Sequence, residues 1–281
     1  INPTGKQPAS LISLQAGRNI ELRPAQQQVR HNQGATRAQA HLIGHSSTLI
    51  AERIHLQAGQ DFMAEGVDLL ASGPFAAKVA RHIDIGPSYE SRSTEAGVPH
   101  LKEDHHSEWL PWRQSMTTAQ GSRIQGSQVA LTAGQNLTLA GSQLDARHGQ
   151  VSLVAGDDVK LEGAKTRQSQ EAASIRQDGW WLSRYSRESG SHSVRTGVQG
   201  SQVEGSRVLF EAGRDMKVSA SSITSNQELS LKAGRDVTRT GEPFSRSESS
   251  RDSEQRKGFF TAGASLALGR RVQTGHTEAT V

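Results

Sequence analysis

A short repeated unit constrains the fold of this 281-residue sequence more than any other feature. Each copy has an alternating apolar run, then Ala-Gly, one polar residue, an Asn or Asp, and a second apolar run. Recurrence of a short unit along a chain is the sequence signature of a repeat architecture. The six copies place their glycine and their Asn or Asp at Gly17 and Asn19, Gly59 and Asp61, Gly134 and Asn136, Gly156 and Asp158, Gly213 and Asp215, and Gly234 and Asp236.

The distances between successive glycines of this unit indicate the length of the repeat. They are 42, 75, 22, 57 and 21 residues. Three of these distances are one or two multiples of about 21, and the other two require insertions of roughly 33 to 36 residues. The sequence therefore predicts coils of about 21 residues, interrupted twice within the series.

The residue types within the unit predict short strands joined by tight turns. Val129 and Leu131, like Val151 and Leu153, alternate with small or polar residues, so each run is expected to bury one face. Glycine is expected to supply a positive φ, and the Asn or Asp to cap the turn. One coil cannot bury its apolar face alone, whereas stacked coils can. We therefore expect an all-β parallel β-helix, or β-solenoid, with the repeated positions as a structural turn ladder.

Three polar segments leave this period and are expected to project from the solenoid as hairpin-like excursions. They cover about residues 87–120, 164–199 and 242–262, and each contains a stretch rich in Ser, Arg and Glu. Interleaved Arg and Glu favour cross-strand pairing in β-hairpins, and disordered loops are the alternative interpretation. Hairpins two or three coils apart are expected to pair only if they lean together. The chain, 1–281, is interpreted as a single solenoid fragment of a longer protein.

Composition excludes several classes of protein. Mean hydropathy is −0.59, and no apolar run approaches the roughly 20 residues of a membrane-spanning helix. The shares of 33% hydrophobic and 4% aromatic residues argue against a compact, aromatic-rich α/β enzyme. Since the sequence has no cysteine, disulfide scaffolds, thiolate zinc sites and cysteine nucleophiles are excluded.

No residue pattern predicts a catalytic or metal centre. His41 and His45 have the spacing of a zinc-binding helix, but they lack the glutamate of that motif and no helix is expected there. The segment Glu103-Asp-His105-His106 is interpreted as a polar loop rather than a metal site. Asp158 follows Asp157 but occupies the repeated turn position, so a structural role is expected. We expect no enzymatic activity, no cofactor and no metal.

Aromatic residues within the excursions are the candidates for a contact surface. An exposed apolar patch often marks a binding site, and the alternative is that these side chains pack the excursions onto the solenoid. Arginines near Arg251 are interrupted by acidic residues, so no nucleic-acid partner is expected. The candidate residues are Trp109, Trp112, Trp180, Trp181, Phe259 and Phe260.

The Ala-Gly-polar-Asn/Asp-apolar unit resembles the haemagglutinin repeats of the filamentous haemagglutinin family of two-partner-secretion exoproteins. The excursion that ends in Gly258-Phe-Phe-Thr-Ala-Gly263-Ala-Ser-Leu is similar to the second haemagglutinin-repeat region of CdiA-type contact-dependent growth inhibition effectors. This resemblance implies a right-handed β-helix, export through an outer-membrane partner transporter, and a secreted location at the bacterial cell surface. It also implies contact with a target-cell surface or envelope.

Three functions are consistent with these features. The first, which we predict, is a filament stalk that takes part in toxin delivery, with self-association through the excursions. The second is an adhesin module whose excursions bind host or bacterial surface glycans or receptors. The third is a polysaccharide-cleaving β-helix enzyme, which would require one coil with converging carboxylates.

Overall fold

The computed structural model describes residues 9–32, 37–101, 107–180, 183–241, 245–260 and 265–280. Within these ranges the chain forms 24 β-strands and no helix. It therefore contains, over the same ranges, no helix with the length and apolar character that crossing a membrane requires. Two sheets consist of parallel strands and the third is antiparallel, so the expectation of an all-β chain with stacked parallel strands is confirmed.

Each coil contributes a long arm to one parallel sheet and a short arm to the other. In the described chain, the long-arm sheet contains β1 (Ala9–Ala16), β5 (Thr48–Ala58), β7 (Asp68–Ala71), β8 (Pro74–Val79), β12 (Arg123–Gln125), β13 (Gln128–Ala133), β15 (Gln143–Ala155), β19 (Gln202–Ala212) and β21 (Ser222–Ala233). The short-arm sheet contains, over the same ranges, β2 (Ile20–Leu22), β6 (Phe62–Glu65), β9 (Ile83–Gly86), β14 (Leu137–Ala140), β16 (Val159–Glu162), β20 (Met216–Ser219) and β22 (Val237–Thr240).

The third sheet, called here the hairpin sheet, is built from antiparallel pairs that leave the coils. Its described strands are β3 (Ala25–Asn32), β4 (Arg37–His45), β10 (Ser88–Leu101), β11 (Ser107–Gln120), β17 (Ala164–Trp180), β18 (Ser183–Gln199), β23 (Ser245–Phe260) and β24 (Ser265–Thr280). They lie in the order β24-β23-β18-β17-β11-β10-β4-β3, so each hairpin is hydrogen-bonded to its neighbour.

The register of the short arms reveals how the hairpins interrupt the coils. Phe62 pairs with Ile83, 21 residues later, and no hairpin intervenes. Partners that do have a hairpin between them, such as Ile20 and Phe62 or Ile83 and Leu137, are 42 and 54 residues apart. Removing the hairpin residues 25–45 or 88–120 leaves 21 residues in both cases.

A hairpin leaves every second coil, always after the short arm. Hairpins follow β2, β9, β16 and β22, whereas the chain turns directly into the next coil after β6, β14 and β20. At those three hairpin-free corners Gly66, Gly141 and Ala220 adopt positive φ values of 57°, 53° and 45°. This left-handed backbone turns the chain sharply, and glycine adopts it most readily.

The alternation of hairpin-emitting and hairpin-free coils explains why the hairpins can join into one sheet. Neighbouring parallel strands lie about 4.8 Å apart, so two coils advance the solenoid by about 9.6 Å. A two-stranded hairpin has the same width, because its strands have the same spacing. The hairpins therefore have the spacing that pairing requires, and the structure shows each paired with its neighbour.

The structure also changes the expected set of excursions. Strands β3 and β4 form a hairpin in a segment, 25–45, that the sequence analysis assigned to the solenoid, because the segment is as long as one coil and the 42-residue spacing looked like two coils. The last hairpin continues to Thr280, beyond the expected limit of 262. Within the described residues there are thus four hairpins rather than three.

Alternating side chains from both arms stack into a continuous core. Val129, Leu131, Val151 and Leu153 are fully buried, and each lies above its equivalent in the next coil. Leu229 is 50% exposed because β21 has a neighbouring long arm on one side only among the described strands. The other fully or almost fully buried residues include Phe62, Phe75, Ile83, Leu137, Leu139, Val159, Leu161, Phe210 and Met216.

Candidate functional site

Where a coil carries the repeated Asn or Asp, that side chain connects it to the next coil. Asn19 Oδ1 accepts a hydrogen bond from the backbone N–H of Asp61 at 3.3 Å, and Asp61 Oδ1 accepts one from His82 at 3.2 Å. Higher in the stack, Asn136 Oδ1 accepts from the N–H of Asp158 at 3.2 Å, and Asp158 Oδ1 accepts from that of Asp215 at 3.3 Å. The side chain thus caps the turn of the following coil rather than its own.

The repeated glycine is favoured by a close approach between coils, and the expected positive φ at this position is wrong. One coil carries Ala80 at the equivalent position, where the Ala80 N–H donates to the Ala58 carbonyl oxygen at a longer distance of 3.3 Å. A Cβ atom on Gly213 would overlap the carbonyl oxygen of Gly156, a backbone atom that cannot move aside. Gly17 has no coil below it in the described chain, and a Cβ there would meet nothing within 4 Å. The glycine therefore allows the turns to stack at the spacing of the strands.

Arginine side chains add ion pairs where the turn residue is Asp. Arg81 donates from Nε and Nη2 to the two carboxylate oxygens of Asp61 at 3.2 and 2.5 Å, and Arg235 contacts Asp215 in the same way. The hydrogen bond from Arg81 holds the pKa of Asp61 below its usual value, against the opposing effect of desolvation, with help from the His82 N–H.

The charge at this position is matched from one coil to the next. Where the turn residue of one coil is Asp and a further coil follows in the described chain, that next coil has an arginine immediately before its own turn position. Where one coil carries Asn, no arginine follows. The pairs are Asp61 with Arg81, Asp158 with Arg214 and Asp215 with Arg235, against Asn19 with Gln60 and Asn136 with Asp157.

A second ladder, of buried serines, lies at the corner where hairpins leave and return. Ser122 Oγ donates to the carbonyl oxygens of Gly86 at 2.8 Å and Ala64 at 3.2 Å. In the same way, Ser201 Oγ donates to the carbonyl oxygens of Glu162 at 2.7 Å and Leu139 at 3.0 Å. These hydroxyls add a hydrogen bond to carbonyls that already accept one from a backbone N–H, as Gly86 does from Gly66 and Glu162 from Gly141, and so connect neighbouring coils at this corner. The sequence analysis missed them, although Gly-Ser recurs at 121–122, 141–142 and 200–201.

Neither candidate for metal binding is supported. His41 and His45 both lie on β4, where four residues span about 13 Å, too far for one ion to contact both. The whole segment 103–106 lies outside the described residues, and within the described ranges no group of three potential ligands forms. Asp158 accepts a hydrogen bond from Asp215, and Asp157 lies 3.2 Å from Arg214 Nε, so both aspartates serve the contacts between coils.

The candidate aromatic residues lie on the hairpins, mostly near the ends farthest from the coils. Trp180 is the last residue of β17 and pairs with Ser183, and Phe259 and Phe260 end β23. Trp109 pairs with Pro99 near the end of β10–β11. Trp112 is half-buried and lies deeper in the sheet, opposite Ala96 and Ala172. Trp181 is outside the described residues.

A family model described as the hemagglutinin repeat matches residues 106–179. This segment begins at β11 and ends at the far end of β17, so it includes two coils between the ends of two hairpins. The tRNA nuclease CdiA-2 of Burkholderia pseudomallei (strain 1026b) is 23% identical over 147 residues. The chain carries a haemagglutinin-repeat region of the filamentous haemagglutinin and CdiA type.

The match to CdiA-2 covers 52% of this chain but 5% of that protein, so the chain spans a small part of this curated relative. No solved structure matches the chain significantly. The two sequence matches support a repeat region of a secreted or surface-associated exoprotein. The nuclease activity in the relative's name belongs to that protein as a whole.

Proposed function

We propose that this chain is a non-enzymatic stalk segment of a large exoprotein that takes part in toxin delivery to neighbouring cells. In this proposal it is one right-handed parallel β-helix with coils of about 21 residues. The protein would leave the cell through an outer-membrane partner transporter and remain at the bacterial surface. The observation that carries the proposal is the recurrence of the same turn contacts from coil to coil.

Recurrent contacts suit a stalk better than an active site. A catalytic centre needs one coil whose carboxylates differ from the rest in pairing and pKa. Here Asp61, Asp158 and Asp215 occupy the same position of the repeat. Each accepts a hydrogen bond from the following coil or forms an ion pair with it. We infer that the repeated Gly and Asn/Asp positions form a structural turn ladder that keeps the coils in register.

An in-frame deletion in the complete exoprotein tests this proposal. Removing residues 159–236 joins Asp158 to Val237 and deletes two coils with one hairpin, so the alternation of hairpins is preserved. A stalk should then keep its surface display and its delivery of toxin in a competition assay between bacteria. Loss of delivery with normal surface display would contradict a stalk, because it would assign a specific function to the deleted unit.

An adhesin is the alternative, and the placement of Trp180, Phe259 and Phe260 at the far ends of hairpins favours it. The test is binding of the labelled 281-residue chain to bacterial and epithelial cells near physiological salt. Saturable binding that falls when Trp109, Trp112, Trp180 and Trp181 are replaced by serine would support the adhesin. Absence of binding by the folded chain would contradict the adhesin and leave the stalk as the proposed function.

A further inference from the structure

A polar groove of about 430 Å³ lies at the hairpin-free corner of Gly141 and Ser142. We call it the corner groove. It lies between the bases of hairpins β10–β11 and β17–β18, because the coil between them emits no hairpin and leaves a recess. Its larger polar side chains are Asp68, Gln120, Arg123, Gln143, Gln199 and Gln202.

One wall of the corner groove is a straight row of side chains on the long-arm sheet. Asp68, Arg123, Gln143 and Gln202 are successive register partners on four neighbouring strands. They point outward, since the residue that follows each of them is buried in the core. Three strand spacings give this row a length of about 14 Å along the solenoid axis.

The row has hydrogen-bonding capacity that the described residues do not use. Arg123 and Asp68 lie on adjacent strands, yet no ion pair joins them, and Arg123 Nε is buried without a hydrogen-bond partner within the described chain. The guanidinium of Arg123 is half-buried and lines the groove, so an acceptor that a ligand places there would pair with its accessible N–H groups. The amide of Gln199 is used differently, because its Nε2 donates to the Gly141 carbonyl at 3.2 Å and fixes the opposite wall.

We propose that the corner groove binds a linear, acidic polysaccharide. A guanidinium recognises a carboxylate through paired N–H donors, and each glutamine amide both donates to and accepts from sugar hydroxyls. A row of evenly spaced polar groups suits a ligand that is itself a linear polymer. Asp68 is the only acidic residue of the lining among the described residues, so the pair of carboxylates that glycoside hydrolysis needs is missing from the groove.

This site would add a binding function to the stalk, and it does not depend on toxin delivery. The test uses the purified 281-residue chain with polygalacturonate, and with its methyl ester as the uncharged control, at about 0.15 M salt. We expect saturable binding of polygalacturonate and at least tenfold weaker binding of the ester. The substitution Arg123→Gln should weaken binding of polygalacturonate by tenfold or more.

Arg207→Gln is the matched control, because Arg207 is exposed on the same sheet and does not line the groove. It should bind as the unmodified chain does. Gln202→Ala, at the exposed end of the row, should weaken binding of both polymers and guards against a folding defect in the Arg123 variant. Absence of saturable binding by the folded chain, or equal losses in the two arginine variants, would overturn the proposal.

Discussion

Trp112 and Ala172 are paired across β11 and β17, two strands that belong to different hairpins and leave the solenoid two coils apart. Six consecutive residue pairs, from Trp112 with Ala172 to Thr117 with Arg167, connect these hairpins. Such pairing is possible because two coils and two strands have the same width, about 9.6 Å. The hairpin sheet and the solenoid are therefore built on one common spacing.

This common spacing predicts opposite outcomes for two deletions in the 281-residue chain. Removing residues 216–236 deletes one hairpin-free coil and brings two hairpin-emitting coils into contact. Two hairpins would then leave coils that are only one strand spacing apart, which is half the width of a hairpin. The pairing of β18 with β23 should therefore be lost. Amide hydrogen exchange over β18 should become much faster, and thermal unfolding should lose cooperativity.

The longer deletion, of residues 159–236, is the control because it keeps the alternation. It should place the last hairpin beside β11 and retain one cooperative transition. Equal protection of the hairpin amides in both variants would contradict the common spacing.

The close approach at the repeated glycine predicts that replacing it by alanine lowers the free energy of unfolding by an amount that depends on the coil. Gly213→Ala should lower the free energy of unfolding by about 1–3 kcal/mol, since the new Cβ overlaps the Gly156 carbonyl oxygen. Gly17→Ala, at the same position of the unit but with open space around it, should change stability by no more than about 1 kcal/mol and in the favourable direction. Urea unfolding measures both. An equal loss at the two sites would show that backbone conformation, rather than close approach, requires the glycine.

Charge matching between coils predicts a specific dependence on pH. The pKa of Asp61 is lowered in the folded state, chiefly by the hydrogen bond from Arg81. Ionised Asp61 therefore adds to the free energy of unfolding at pH values above its pKa in the unfolded chain. That contribution is lost as pH falls through the lower, folded-state pKa. Asp61→Asn should therefore reduce stability near pH 7 and flatten the decline of the unfolding free energy below about pH 4.

Asn136→Asp provides the reverse test, because the next coil offers Asp157 instead of an arginine. This variant should be less stable than the unmodified chain near neutral pH and should recover part of the difference on acidification. The same pH profile for both variants and the unmodified chain would mean that the matched charges do not set the register.

Much of the solenoid could be predicted from sequence because its constraints recur in every coil. Gly213 and Asp215 each occupy a position that recurs in most coils of the stack, so the turn and both flanking strands are visible as a pattern. The physical reason for the glycine was not visible, because the atom that excludes a side chain is a carbonyl oxygen 57 residues earlier. Such an approach appears only when the coils are stacked.

The hairpin at 25–45 and the corner groove could not be predicted for related reasons. The hairpin contains as many residues as one coil, so the spacing between Gly17 and Gly59 is the same as for an uninterrupted repeat. The groove depends on which coils emit hairpins, and its row of Asp68, Arg123 and Gln143 comes from strands that are distant in sequence. The buried serines could have been found, since each follows a glycine at the start of a long arm.

Engineered disulfides between hairpins test the central claim most directly, because the chain contains no cysteine of its own. Ser115 and Ser169 are register partners on β11 and β17, and their side-chain oxygens are 2.7 Å apart. The double variant Ser115→Cys with Ser169→Cys should form an intramolecular disulfide rapidly and nearly completely under mild oxidation. Ser115→Cys with Gln170→Cys, which places the second thiol on the opposite face of the sheet, should not. Equal and slow oxidation of the two variants would contradict a continuous hairpin sheet along the solenoid.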